Sequence, residues 1–232
     1  MTVAAVILAA SPAAALADAD GTPAARRIAD AAWAGGATPV VVVAADPDGA
    51  VAAALATAEV TLLEPTPAEG GPAGQIARGI AGAAQLVSAT SAALVWPARL
   101  AWADAETVTT LIAAHGDDPS AILRPAHDGV AGWPALVPLA ALDRLAGSSP
   151  SRLPDEVLDD LAAAGLAVHR VDTGDPGVTH DIAVARTSLP PFDGPPRPDD
   201  GVEREWGAPA ADQPDDAPPA GPTRLASPDP AA

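Results

Sequence analysis

The stretch Val3-Ala4-Ala5-Val6-Ile7-Leu8-Ala9-Ala10 decides the fold. It is apolar throughout and does not alternate. A strand with one wet face alternates apolar and polar residues, whereas a parallel strand covered by helices on both faces does not. Pro39-Val40-Val41-Val42-Val43-Ala44-Ala45 reads the same way, with four β-branched valines in a row. Between the two runs, Thr22 as cap and Pro23 in the first helical position start a helix over 24–34, which Gly35-Gly36 ends. The first run also admits a secretory-signal reading, with Ala15-Leu16-Ala17 resembling a cleavage site. No positive charge precedes it, since the first basic residue is Arg26. It is also too short to span a bilayer. The strand reading is preferred, and with it a cytoplasmic setting.

Outward from these runs the alternation continues. Asp46-Pro47-Asp48-Gly49 is turn chemistry, followed by a short Ala-rich helix to about residue 57. Strands are expected at 60–63, 92–96, 121–124 and 167–171. A further apolar segment, 133–137, follows the turn His127-Asp128-Gly129. Helices are expected at 75–88, from Asp104 to His115, over 138–146, and from Pro154 to just before Gly165, with a Pro- and Gly-rich loop at 64–74. Strands and helices at this spacing imply parallel strands joined by right-handed crossovers, hence a three-layer α/β sandwich with a mostly parallel sheet. Ligands in such folds sit beyond the carboxyl ends of the strands at the topological switch point. The loops after Ala10, Ala45, Leu63 and Trp96 are therefore the ones that matter.

Composition removes many chemistries. The chain has 232 residues, 30 acids, 12 basic residues and no cysteine. All 12 basic residues are arginine, so neither a Schiff-base lysine nor a P-loop lysine exists. Without cysteine there is no disulfide, thiolate metal site or thiol nucleophile. A net charge of -18 opposes binding to nucleic acid and to anionic membranes. The charge is uneven: from Pro190 onward there are 12 prolines and nine acids against three arginines. That segment has no apolar period with which to offset its ordering entropy. The expected organisation is a domain over 1–188 and a disordered Pro- and Asp-rich tail over 189–232. The tail is expected to stay solvated, with a protein partner as its other use.

In order along the chain, several motifs resemble those of the MobA-like nucleotidyltransferases, which attach a nucleotide to molybdopterin or activate sugars as nucleotide derivatives. Val6-Ile7-Leu8-Ala9-Ala10 resembles that family's opening strand. Asp20-Gly21-Thr22-Pro23 resembles its D-G-x-P. Gly70-Gly71-Pro72-Ala73-Gly74-Gln75 with Arg78-Gly79-Ile80 is similar to its Gly-Pro-Gly loop and helix start beside base and ribose. Arg124-Pro125 through Gly132-Trp133-Pro134, and Val178-Thr179-His180-Asp181-Ile182, resemble two later segments. The resemblance covers roughly 3–185. It implies a nucleotide site containing Ala9, Ala10, Ser11, Gly71, Gly74 and Arg78, with Mg²⁺ if the protein is active.

The departures fall where that chemistry would be done. The family's first loop carries an Arg and a Lys that hold a triphosphate. Here the loop reads Ser11-Pro12-Ala13-Ala14-Ala15-Leu16-Ala17-Asp18-Ala19-Asp20, with no basic residue. Pro12 also removes one N–H. The resemblance puts the family's metal-binding Asp of D-x-P at Arg99, and the second ligand, in D-I-D-T-P, at Ala183. Neither side chain offers the oxygen a hard cation needs. The expected protein is a non-catalytic member of the family, binding a nucleotide or small anion. The alternatives are an active enzyme with altered ligands and an exported binding protein cut near Asp18. Arg99 would contact an anion itself, or be a surface residue paired with Asp104 or Glu106.

Other residues support plainer roles. Asp18, Asp20, Asp46 and Asp48 would converge on a cation or, more simply, form turns and flank helices. The histidines are scattered without metal spacing, and His115 would favour a helix dipole. Ser11 lacks the G-x-S-x-G context of a nucleophile. Trp33, Trp96, Trp102 and Trp133 would serve the core or subunit contacts before a pocket.

Overall fold

A computed structural model describes residues 2–67, 70–145, 148–192 and 194. Strand β1 (Thr2–Leu8) lies in the middle of the sheet, hydrogen-bonded in parallel to β2 (Val40–Val43) on one side and β4 (Thr90–Pro97) on the other. Val3, Ala5 and Ile7 enter one buried cluster, while Ala4 and Val6 enter a second on the opposite face. Both faces are covered, which is why the run does not alternate.

Strand β3 (Val60–Leu63) lies outside β2, again in parallel. From β4 the sheet continues through β7 (Ala135–Pro138), β5 (Ile122–His127) and β6 (Val130–Ala131), with β8 (Val168–Asp172) parallel to β5. The sheet is mostly parallel, as expected, and the exceptions lie around β7, which runs antiparallel to both β4 and β5. The cause is local. Asp128 and Gly129 have φ of 50° and 76°, a tight reversal that sends the chain straight back beside β5.

Two helical layers complete the sandwich. Helix α2 (Ala24–Ala34) and α5 (Ala105–Asp117) cover the first face through Ile28, Ala32, Val108 and Leu111. The short α1 (Pro12–Leu16) and α3 (Ala50–Leu55) lie on that side too, through Ala15 and Val51. Helix α4 (Gly71–Leu86), α6 (Leu142–Leu145) and α7 (Pro154–Ala163) cover the second, through Ile76, Ile80, Leu145, Val157 and Leu161. Helix α4 lies close to the sheet because Gly79 and Gly82 have no side chain. A Cβ on Gly79 would overlap Val6 Cγ1, and one on Gly82 would overlap Leu63.

Several boundaries move. The α2 N-cap is Pro23 rather than Thr22, and no side chain caps it. Helix α4 starts at Gly71, four residues before the expected 75, because Pro72 suits a first helical turn. The helix expected at 138–146 is a 3-10 turn, Leu139–Ala141, leading into the one-turn α6. The loop expected at 11–20 contains α1, capped by Ser11, whose Oγ accepts from the Ala14 N–H at 3.2 Å. The expectation for 189–232 falls almost wholly outside the described residues. Within it, Leu189 packs against the first cluster. No helix among the described residues is long and apolar enough to cross a membrane.

Candidate functional site

The chain leaves β1, builds β2 and β3 on one side, then crosses over to β4 on the other. The carboxyl ends of β1 and β4 are thus the switch point. Backbone bonds tie the end of β1 to both neighbours: the Ala98 N–H, just past β4, donates to the Leu8 carbonyl at 2.9 Å, and the Ala9 N–H donates to the carbonyl of Val43 in β2 at 3.1 Å.

A cleft of about 390 Å³ opens there. Leu8, Ala9 and Ala10 form its floor, Gly71 and Pro72 one wall, and Leu153 and Pro154 the other, while Pro97, Ala98 and Arg99 close the β4 side. Gln75 also lines it, but its amide is committed: Oε1 accepts from the Thr66 N–H at 3.0 Å and Nε2 donates to the Thr66 carbonyl at 2.9 Å. Among the described residues lining the cleft, Arg99 is the only charged one.

Four of the expected nucleotide-binding residues therefore meet in one cavity: Ala9, Ala10, Gly71 and Arg99. Ser11, Gly74 and Arg78 are not in its lining. Ser11 caps α1, Gly74 lies one turn into α4 near the Thr66 hydroxyl, and Arg78 Nε donates to the Glu64 carbonyl at 3.4 Å.

Arg99 is paired, but not with Asp104 or Glu106. Its Nη1 donates to Asp181 Oδ2 at 3.1 Å, across 82 positions of sequence. The link is built by the backbone. The Ile182 N–H donates to the Arg99 carbonyl at 2.9 Å, and Trp102 Nε1 donates to the carbonyls of Asp181 and Val184 at 3.2 and 3.0 Å. Asp104 pairs instead with Arg186 at 3.2 Å.

Ala183 is also displaced from the expected place. It lines a separate depression with Asp18, Asp20 and Arg186, and its N–H donates to Asp181 Oδ1 at 2.9 Å. One carboxylate thus survives opposite Arg99, at 181. Sequence reasoning missed it; the signal was the Asp of Val178-Thr179-His180-Asp181-Ile182. It also missed the Leu153 and Pro154 wall. That wall is fixed by Glu156, whose Oε2 accepts from the Leu153 N–H at 2.8 Å, and by the Arg152–Asp160 ion pair.

Arg99 and Asp181 also border a smaller cavity of about 220 Å³, with Arg124, Trp133 and Asp155. Arg124 lies over the Trp133 ring at 5.2 Å, donates to Asp155 Oδ1 at 2.8 Å and reaches the Gly132 carbonyl at 3.0 Å, so its guanidinium is engaged on three sides.

Asp18, Asp20, Asp46 and Asp48 act in turns and at the start of α3. Asp46 accepts from the N–H groups of Val51 and Ala52 at 2.9 and 3.0 Å, and Asp18 from that of Gly21 at 3.0 Å. Asp20 adopts a φ of 60° in that turn. His115 does lie in the last turn of α5, but it is buried, and burial lowers its pKa. Burial disfavours its charged form, which works against the favourable dipole contact expected of it. Trp96 is core, its Nε1 donating to the Leu100 carbonyl at 2.7 Å, whereas Trp33 is half exposed.

The resemblance drawn from the sequence implies Mg²⁺ for an active protein, but the residues present do not fit it. A hard cation needs several oxygen donors, and the carboxylate nearest Arg99 is already shared with a guanidinium. Among the described residues, no group of three or more His, Asp or Glu is placed to hold a metal ion.

Solved structures share the architecture. A nucleotidyl transferase from Methanothermobacter thermautotrophicus is 18% identical with a TM-score of 0.61, over 74% of this chain and 87% of its own. A Mycobacterium tuberculosis protein solved in complex with manganese is 16% identical with a TM-score of 0.56, over 78% and 94%. The 4-diphosphocytidyl-2C-methyl-D-erythritol synthase of Anaerococcus prevotii is 12% identical with a TM-score of 0.59, over 78% and 92%. No curated protein matches the sequence. At these identities the likeness concerns the fold. The sequence itself matches the model of the MobA-like NTP transferase domain over residues 6–168, and the chain belongs to that family.

Proposed function

We propose that this chain is a non-catalytic MobA-like domain that binds a nucleotide or other small anion at the switch-point cleft. The observation that carries the reading is the Arg99–Asp181 ion pair. Nucleotidyl transfer develops negative charge on phosphates, and the fold's usual remedy is a divalent cation between carboxylates. Here a guanidinium stands against the one carboxylate opposite it. It supplies positive charge for binding an anion, yet has no open coordination site with which to activate one. Loss of basic residues from the α1 loop acts in the same direction.

Calorimetric titration with CTP, GTP and ATP, each with and without Mg²⁺, tests this, together with an assay for pyrophosphate release. Any affinity is expected to be independent of the metal, with no pyrophosphate formed. Tight Mg²⁺-dependent binding of a single nucleotide, or pyrophosphate release at enzymatic rates, overturns it. We further propose that the domain ends near residue 188, that the acidic segment 189–232 stays solvated, with a protein partner as its other use, and that the protein works in the cytoplasm.

A further inference from the structure

We propose that the cleft's ligand is a lipophilic monocarboxylate, an apolar body carrying one anionic head, rather than a triphosphate. This rests on the anion-binding reading above and names its ligand class.

The cleft is built from Leu8, Ala9, Pro72, Pro97, Leu153 and Pro154, with about 390 Å³ of space. Sites of this size and lining take apolar bodies and use a few polar groups for orientation. Leu153 is 64% exposed, so an apolar guest would cover a side chain that otherwise stands in water. Gln75 has both ends of its amide bound to Thr66, which leaves it little capacity for a ligand.

The head group follows from Arg99. It lines the cleft, its side chain is 60% exposed, and the partner it already holds is a carboxylate. A planar guanidinium matches a carboxylate in geometry as well as charge. A triphosphate brings several negative charges to one arginine that stands beside Asp181, and among the described lining residues no second cation shares them. The ligand's carboxylate competes with Asp181 for the same guanidinium. Asp181 is therefore a gate on affinity.

The test uses the full chain and calorimetry with octanoate, acetate and octylammonium, each compared with ATP. Octanoate is expected to bind at least about tenfold more tightly than acetate or octylammonium. Arg99→Ala, at an exposed position, is expected to weaken octanoate about tenfold, whereas Asp181→Asn strengthens it several-fold while keeping the Oδ1 acceptor for the Ala183 N–H. Octanoate binding no better than acetate, equal binding of octylammonium, or indifference of octanoate to Arg99→Ala overturns the inference. Metal-independent ATP binding without octanoate binding defeats this inference and leaves the anion-binding reading standing. Mg²⁺-dependent ATP binding alongside Arg99-dependent octanoate binding defeats that reading alone.

Discussion

At the scale of single residues, one charge sets the chemistry of the switch point. Arg99 holds Asp181 at 3.1 Å at the edge of the switch-point cleft. Arg99 is exposed and Asp181 partly so, and the pair contributes little stability, about 0–1 kcal/mol. Changing it should therefore alter function without unfolding the domain. Arg99→Asp sets a second carboxylate opposite Asp181. It is expected to bind Mn²⁺ at least about tenfold more tightly than the parent chain, followed by electron paramagnetic resonance of the free ion. Unchanged Mn²⁺ affinity would show that the two positions do not form a metal-sized gap. Asp104 makes a different point. Burial, then Asp175, then Glu106 push its pKa up to about 6, although Arg186 lies 3.2 Å away. A raised carboxylate pKa means the charged form is disfavoured in the fold. The associated stability is present below about 4 and is lost as pH rises through 6. In Asp104→Asn nothing titrates at that position. The Tm of the variant minus that of the parent is expected to grow between pH 4 and pH 7, by the equivalent of about 1 kcal/mol after solvent screening. A flat difference across that range contradicts the shifted carboxyl.

At the scale of elements, α4 shows how small residues bring a helix onto a sheet. A Cβ at Gly79 would overlap Val6 and press on Val43, so in Gly79→Ala either these buried valines or the helix must shift. The expected cost is about 1–3 kcal/mol in urea unfolding, despite the better helix propensity of alanine. A neutral or stabilising result would mean the interface adapts. Much of this layer was legible beforehand. Four consecutive valines could only be a strand buried on both faces, and β3 falls where its pattern predicts. Helix α2 ends at Gly35 as expected. What escaped did so for physical reasons. Helix α1 has five residues, too few to display a helical period. The antiparallel insertion of β7 between β4 and β5 depends on long-range pairing, which periodicity does not encode. For the site, the post-β4 loop and Gly71 were readable as motifs, but the Arg99–Asp181 pair was not. It depends on Ile182 and Trp102 tying the last segment to the loop after β4, and nothing in either segment alone announces that.

At the scale of the molecule, the sheet divides the interior into two clusters that share its strands. Trp96, Leu111 and Ile28 lie on one face, Trp133, Leu158 and Ile80 on the other. Because β1, β2 and β4 contribute residues to both, neither cluster can be lost while the other keeps its strands paired. The domain is therefore expected to unfold in one step. Leu111→Ala and Leu158→Ala each empty a buried site on opposite faces, at about 2–5 kcal/mol apiece. The two sites lie on opposite sides of the sheet with separate partners, so the double variant should sum the single effects to within about 0.5 kcal/mol. Tryptophan fluorescence, to which Trp96 and Trp102 in the first cluster and Trp133 in the second contribute, should give the same denaturation midpoint as far-ultraviolet circular dichroism in every variant. Separate midpoints in Leu158→Ala would show that the α4 and α7 layer melts alone. The cleft, whose walls are Gly71 and Pro72 of α4 and Leu153 and Pro154 at the start of α7, would then open before the sheet does.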